Sequence, residues 1–69
     1  MTEYIRLLLA SYQAHTIEVE EIATGKRGVA NPKAGNVAVF YGADDGSDDA
    51  VISEQEFNDR FRITAAILH

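Results

Sequence analysis

The sequence predicts a small α+β domain: a curved antiparallel sheet of about four or five strands, with one short helix, about 54–60, packed on it. Two observations carry this prediction. A helix-capping pattern opens "SEQEFNDRF", and alternating or β-branched segments lie before and after it. A chain of 69 residues has room for one small core, so residues 1–69 are predicted to form a single domain.

The N-terminal segment "EYIRLLLASY" fits two structures. Helical spacing relates Ile5, Leu8, Leu9 and Tyr12. Strand-like alternation relates Ile5, Leu7 and Leu9. We expect a strand over residues 3–12, because the run is short and continues into a β-like segment, with a helix as the alternative.

The next segment alternates as a half-buried strand does. Ile17 and Val19 are expected to face inward, and Glu18 and Glu20 outward. The alternation breaks at residues 21–22, where a bulge is one cause.

Turn residues separate the strands that follow. In "ATGK", Gly25 can take a positive φ, so "RGVA" is predicted to return antiparallel to the preceding strand. Pro32 and Gly35 predict a loop before the next strand.

Residues 36–53 are predicted to form a hairpin. The strand "NVAVFYG" is apolar on both sides, with Val37, Val39 and Tyr41 on one and Ala38 and Phe40 on the other. Such a strand belongs inside a sheet covered on both faces, or shares one face with a partner. "AVIS" resumes extended structure after an acidic loop.

The helix at about 54–60 has a capping box. Ser53 is expected to cap the first turn, with Glu56 reaching back to the Ser53 amide. Ile52 and Phe57 form a hydrophobic staple, Glu56 and Arg60 are spaced to pair, and Phe57 and Phe61 attach the helix to the sheet. The last residues, Arg62–His69, predict a strand whose bare edge would favour a homodimer.

Composition limits the function. Eleven acids against six bases give a net charge of −5, which favours basic partners and opposes binding to nucleic acid or membranes. Without cysteine, thiolate chemistry is absent. The longest apolar run is too short to span a membrane and no signal peptide is apparent, so we expect a cytoplasmic protein.

The candidate binding site is an acidic segment. Between residues 44 and 59 there are seven acids and no base, so this face could attract a basic partner surface. Its members are Asp44, Asp45, Asp48, Asp49, Glu54, Glu56 and Asp59. Gly46 stands in the wrong register for an EF-hand, because position 3 would be Ala43. A looser cation site of Asp44, Asp48 and Glu54 is the alternative to a solvated turn. We predict a partner-binding face, with no metal and no cofactor.

Other sites are less well supported by the sequence. The basic stretch with Lys26, Arg27 and Lys33 lacks the P-loop pattern and interleaved aromatic residues, so direct nucleic-acid binding is not expected. Ser11 and His15 lie in no nucleophile motif, and a core of this size leaves little volume for a pocket. We expect no enzymatic activity.

Two stretches carry a resemblance. "NVAVFYGADDGSDDAVISEQEFNDRF" is similar to a hairpin and short phenylalanine-bearing helix found in small bacteriophage and prophage proteins of unassigned role, and "IRLLLASYQAHTIEV" resembles the opening strands of small phage-encoded proteins. The resemblance implies an accessory protein, in a class that includes acidic inhibitors of host defence. We therefore expect a non-catalytic binding or inhibitor domain, in the host cytoplasm if phage-encoded. The alternative is a self-assembling structural subunit.

Overall fold

A computed structural model of the chain describes residues 2–41 and 49–68. The elements are α1 (Glu3–Ser11), β1 (Ala14–Glu21), β2 (Arg27–Lys33), β3 (Asn36–Phe40), β4 (Ala50–Ser53), α2 (Glu54–Arg60) and β5 (Phe61–Leu68). The strands form one antiparallel sheet in the order β4-β3-β2-β1-β5. This confirms the predicted α+β class and a sheet of five strands.

Both helices pack on one face of the sheet. Alternate residues of a strand point to one face, and the buried ones form a single cluster with side chains from both helices. The cluster consists of Tyr4, Leu7, Ile17, Val19, Ala30, Val37, Val39, Ile52, Phe57 and Phe61. We call this covered side the inner face and the opposite side the outer face.

The strand predicted over residues 3–12 is wrong, because the segment forms α1. The Thr2 side chain accepts a hydrogen bond from the Ile5 amide (3.2 Å), which caps the first turn. Tyr4 and Leu7, three residues apart, are buried in the core. Two further bonds fix the helix, from the Tyr4 amide to Asn58 Oδ1 (2.7 Å) and from the Gly35 amide to the Tyr4 hydroxyl (3.1 Å).

The break at residues 21–22 marks the end of β1, not a bulge. Register shifts in the pairing of β1 with β5 occur between Ala14 and Thr16 and between Glu18 and Val19. As predicted, Ile17 and Val19 are buried. Gly25 has the expected positive φ of 74°, and β2 returns antiparallel to β1.

The loop predicted between Pro32 and Gly35 is instead a tight hairpin. Pro32 lies within β2 and pairs with Val37, and only two residues connect Lys33 to its partner Asn36. Those two residues, Ala34 and Gly35, have φ of 44° and 90°, as a type I′ turn requires. An alanine is costly at such a φ, so "Ala-Gly" gave a weaker turn signal than "Asn-Gly" would have.

The predicted hairpin over residues 36–53 is confirmed by the antiparallel pairing of β3 with β4. On the outer face, Ala38 is buried (3% exposed) and Phe40 is 43% exposed. No described helix or strand covers that face, so β3 is interior to the sheet but covered on one side.

The helix predicted at about 54–60 is confirmed as α2. Ser53 Oγ accepts a hydrogen bond from the Glu56 amide (3.2 Å), as predicted. The Glu56 carboxylate was predicted to contact the Ser53 amide, but it contacts Arg60 instead. Phe57 and Phe61 are almost completely buried, and their rings stack with centroids 5.7 Å apart. These two rings attach α2 to the sheet as expected.

β5 is the edge strand expected at the C-terminal end of the sequence. It pairs with β1 on one side, and no described strand lies on the other. In the described part of the chain, neither helix has the length and apolar character needed to cross a membrane.

Gly28 allows β3 to pass close to β2. A Cβ at residue 28 would lie 2.7 Å from the Phe40 carbonyl oxygen and 3.4 Å from the Tyr41 Cα. Both contacts are with backbone atoms, so a side chain at residue 28 would force β2 and β3 apart.

We predict that Gly28→Ala lowers the free energy of unfolding by about 1–3 kcal/mol, the usual range for overpacking. Ala34→Asn is the contrasting change, because asparagine tolerates a positive φ better than alanine, and should leave stability unchanged or raise it. Urea unfolding followed by circular dichroism measures both. A Gly28→Ala protein as stable as wild type would contradict the close approach.

Candidate functional site

Three of the predicted partner-binding residues, Asp44, Asp45 and Asp48, lie outside the described residues. Asp49 directly precedes β4, is exposed, and accepts a hydrogen bond from the Tyr41 amide at 3.3 Å. Glu54 directly follows β4 as the first residue of α2 and is exposed. At about 3.3 Å per residue, the two acids lie about 16 Å apart at opposite ends of the edge strand.

The remaining predicted acids lie on α2. Asp59 is exposed near the C-terminal end of the helix. Glu56 differs from the others because its carboxylate pairs with Arg60 one turn later. Arg60 directly follows the acidic segment 44–59 in the sequence. The charge of Glu56 is therefore balanced by a residue just outside that segment.

Arg60 is the centre of an ion-pair network. Its guanidinium pairs with Glu56 on its own helix and with Glu21 at the end of β1. Thr24 also donates its hydroxyl to Glu21 (2.8 Å). The network therefore links α2 to the β1–β2 turn.

The other arginines are paired as well. Arg62 and Arg27 both approach Glu20 across neighbouring strands, at 2.6 and 3.7 Å. Arg6 pairs with Glu3 at 2.6 Å. Each of the chain's arginines thus contacts an acid of α1, β1 or α2.

The arginine contacts perturb two titrations. Hydrogen bonds from Arg62 hold the pKa of Glu20 below its ordinary value, and hydrogen bonds from Arg60 do the same to the pKa of Glu21. These carboxylates therefore stay ionised to lower pH than free glutamate.

Four acids have no ion pair among residues 2–41 and 49–68. Asp49, Glu54 and Asp59 belong to the predicted site, and Glu18 lies on the outer face. Within the described residues, uncompensated negative charge thus accompanies β4 and α2. We call Asp49, Glu54 and Asp59 the β4–α2 acids.

The basic stretch is not a free cationic surface. Lys26 Nζ lies 4.5 Å from the centroid of the Tyr41 ring, and Arg27 faces Glu20. Lys33 lies at the end of β2, beside the hairpin turn. The three cations are therefore divided between two ends of the strand.

Ser11 and His15 do not form a nucleophile and base. Both line a cavity of about 130 Å³ where β1 and β2 separate. The Ser11 hydroxyl donates to the Leu8 carbonyl (2.7 Å), and His15 Nδ1 contacts Thr16 Oγ1 (3.1 Å). The hydroxyl proton is thus committed to the backbone of α1.

No group of three His, Asp or Glu side chains that could hold a metal ion occurs in residues 2–41 and 49–68. Asp44 and Asp48, which the sequence offers as ligands together with Glu54, lie outside those residues.

The sequence analysis missed an apolar surface between α1 and β5. A groove of about 350 Å³ separates the helix from the edge strand and is lined by Arg6, Leu9, Ala10 and residues 63–66. Of the helically spaced residues Ile5, Leu9 and Tyr12, Leu9 lines this groove. A strand over residues 3–12, as the sequence predicted, would have no such groove.

Comparisons with protein-family models, with curated protein sequences and with solved structures find no significant match.

We predict that stability falls in acid because of the arginine networks. Because the pKa of Glu20 and of Glu21 is lower in the folded than in the unfolded chain, the unfolded chain binds protons first as the pH falls. The stability that these two carboxylates contribute is therefore present above the unfolded pKa, near 4.5, and is lost as pH falls through the folded pKa. Urea midpoints measured between pH 7 and pH 2.5 should drop below about pH 4.5.

Glu21→Gln removes one of these titrations, so the drop should be smaller than in wild type. Arg60→Gln removes the same ion pair by replacing the arginine, and it should likewise reduce the fall of the urea midpoint in acid. Identical pH profiles for wild type and both variants would contradict the assigned contacts.

Proposed function

We propose that this chain is a non-catalytic protein-binding domain whose β4–α2 acids engage a basic surface on a partner. Asp44, Asp45 and Asp48, which precede β4 in the sequence, would extend the same negative surface. The resemblance to small phage and prophage proteins makes an inhibitor of a host complex the favoured class.

The distribution of ion pairs is the observation that carries the proposal. Arginines compensate Glu3, Glu20, Glu21 and Glu56 within the domain. The β4–α2 acids have no such ion pair in the described chain and are exposed. Residual charge of this kind attracts a cationic partner over several ångströms and speeds association.

A basic partner surface of this kind is typical of proteins that bind nucleic acid. Acids spaced along an edge strand and a helix can occupy such a surface in place of phosphates. The proposed action is therefore steric and electrostatic competition, without chemistry, in the cytoplasm of a host cell.

A second function, self-assembly as a structural subunit, is favoured by one observation. β5 is an edge strand with exposed Ile67 and Leu68 at its end, and such an edge pairs readily with another chain. An open assembly would grow steadily with protein concentration, which sedimentation velocity detects.

For the partner-binding function, we predict that Glu54→Gln and Asp59→Asn each weaken binding about 3- to 10-fold, or about 0.7–1.4 kcal/mol. The immobilised chain is first used to recover nucleic-acid-binding proteins from a bacterial extract. The recovered protein is then purified and titrated by calorimetry against wild type and each variant.

Glu18→Gln is the matched control, because it removes the same charge from the outer face. Binding governed by net charge alone would respond equally to all three substitutions, and that outcome would contradict the assigned surface. Added nucleic acid should displace the domain, and affinity should fall as salt rises. Thermal unfolding checks each variant, since Glu54 also stabilises the start of α2.

A further inference from the structure

α1 has two apolar sides, and one of them faces away from the domain's own core. Tyr4 and Leu7 are buried against the sheet. Ile5, Leu9 and Tyr12 are 40%, 54% and 84% exposed. Their spacing of four and three residues places them along one side of the helix. The rest of the described chain leaves this second stripe open.

Leu9 is the member of this second stripe that lies beside β5. Leu9 lines the groove between helix and strand together with Ala66. Leu68, two residues further along β5, is 64% exposed. Leu9, Ala66 and Leu68 therefore make an apolar surface, the α1–β5 surface, beside a groove that Arg6 and Ala10 also line. Exposed apolar side chains beside an unpaired sheet edge favour a contact with another chain.

Backbone groups at the end of β5 are directed away from the sheet. The Ile22 amide donates to the Arg60 carbonyl (2.8 Å), which fixes the alternation of the β1–β5 ladder. By that alternation, residue 17 of β1 directs its backbone groups away from β5. Its partner Ala66, and Leu68 after it, therefore present their amide and carbonyl at the open edge.

Glu3 covers the other half of the same edge. By the same alternation Ile63, the partner of Val19, directs its amide outward, and that amide donates to Glu3 Oε2 at 2.7 Å. The other carboxylate oxygen pairs with Arg6 (2.6 Å). An added strand can therefore pair with residues 66–68 without displacing an existing bond.

We propose that the α1–β5 surface binds a second copy of this chain in a closed twofold dimer. Antiparallel pairing about Ile67 sets Ala66 of each copy opposite Leu68 of the other, and the two Ile67 side chains meet on the outer face. The two α1 helices then lie side by side over the seam. Leu9 of one helix then lies closest to Leu9 of the other.

Charge favours this surface for contact between identical chains. Each copy carries a net charge of −5, so a twofold contact through the β4–α2 acids would oppose like charges. Arg6, the charged residue that lines the groove, pairs with Glu3, so the α1–β5 surface carries no net charge. Two copies can therefore meet here with their excess charge at a distance.

A dimer contact would cover most of one side of the domain. Standard interfaces bury about 800 Å² per partner, and one copy exposes 4427 Å² in all. The domain measures 28 × 27 × 22 Å, so an entire side is about 600–750 Å² in projection, close to the lower range of such interfaces. A twofold contact uses the same surface in both copies, which closes the assembly at two.

The oligomeric state tests the proposal directly. We expect the mass of the full chain, measured by sedimentation velocity from about 1 to 300 μM, to rise to twice the mass of one chain and to rise no further. Leu9→Glu should raise the dimer dissociation constant at least 100-fold. Ile22→Glu is the matched control, because Ile22 is equally exposed (59%) but lies in the β1–β2 turn, and it should dimerise as wild type does.

Hydrogen exchange separates strand pairing from loose helix contact, and it needs no variant that folds poorly. The amides of Ala66 and Leu68 should be protected at dimer concentrations and exchange on dilution. The Ile67 amide, directed toward β1, should stay protected in both.

Several results would overturn the proposal. A monomer at every concentration excludes the dimer, and a mass that keeps rising indicates open assembly. Equal effects of Leu9→Glu and Ile22→Glu, or free exchange at Ala66 and Leu68 in a dimer, place the contact elsewhere. A monomer that binds neutral lipid vesicles through Leu9 would assign the surface to a membrane.

Discussion

The fold depends on a single crossing of the sheet. β4 and β5 are its two edges, and only α2 connects them. A helix of seven residues is about 10 Å long, whereas five strands span about 19 Å, so α2 covers about half of that distance. Phe57 is buried in the core below α2, and Phe61 begins β5 with its ring stacked on that of Phe57. α1 then covers the area that α2 leaves, held by the bond from Tyr4 to Asn58.

Since both helices occupy the inner face, the described chain leaves the outer face uncovered and gives neither edge strand a second neighbour. The charged residues divide accordingly. Arginines at positions 27, 60 and 62 connect β1 to β2, α2 and β5. These bonds lie around the crossing and support it. They also leave the acids that flank β4 as uncompensated charge, whereas Ile67 and Leu68 are exposed at the end of β5. The two edges of the sheet thus differ: acids flank β4, and the end of β5 is apolar.

The sequence predicted best where local chemistry and tertiary packing agree. At α2 the Ser53 cap and the phenylalanine spacing specify the same seven residues that the fold needs. At α1 they disagree, since Leu7, Leu8 and Leu9 fit a strand and a helix equally, and the deciding contacts come from Asn58 and Gly35. The Ala34–Gly35 turn lacked its usual residues. Which acids form ion pairs could not be predicted either, because Arg60 contacts Glu21, 39 residues away in the sequence.

The two proposed surfaces are compatible because Asp49 and Glu54 flank the opposite edge strand β4, and Asp59 precedes the start of β5, away from residues 66–68. Pairing of β5 with its copy would make a ten-stranded sheet with β4 at each outer end. Nine intervals of about 4.8 Å place those strands roughly 40 Å apart. Each outer edge would carry its own Asp49 and Glu54, free of the dimer seam. A partner with two basic sites at that separation would then be held at both, and the second contact would form at a high effective concentration. Dimerisation therefore raises avidity without changing the chemistry of either acidic surface.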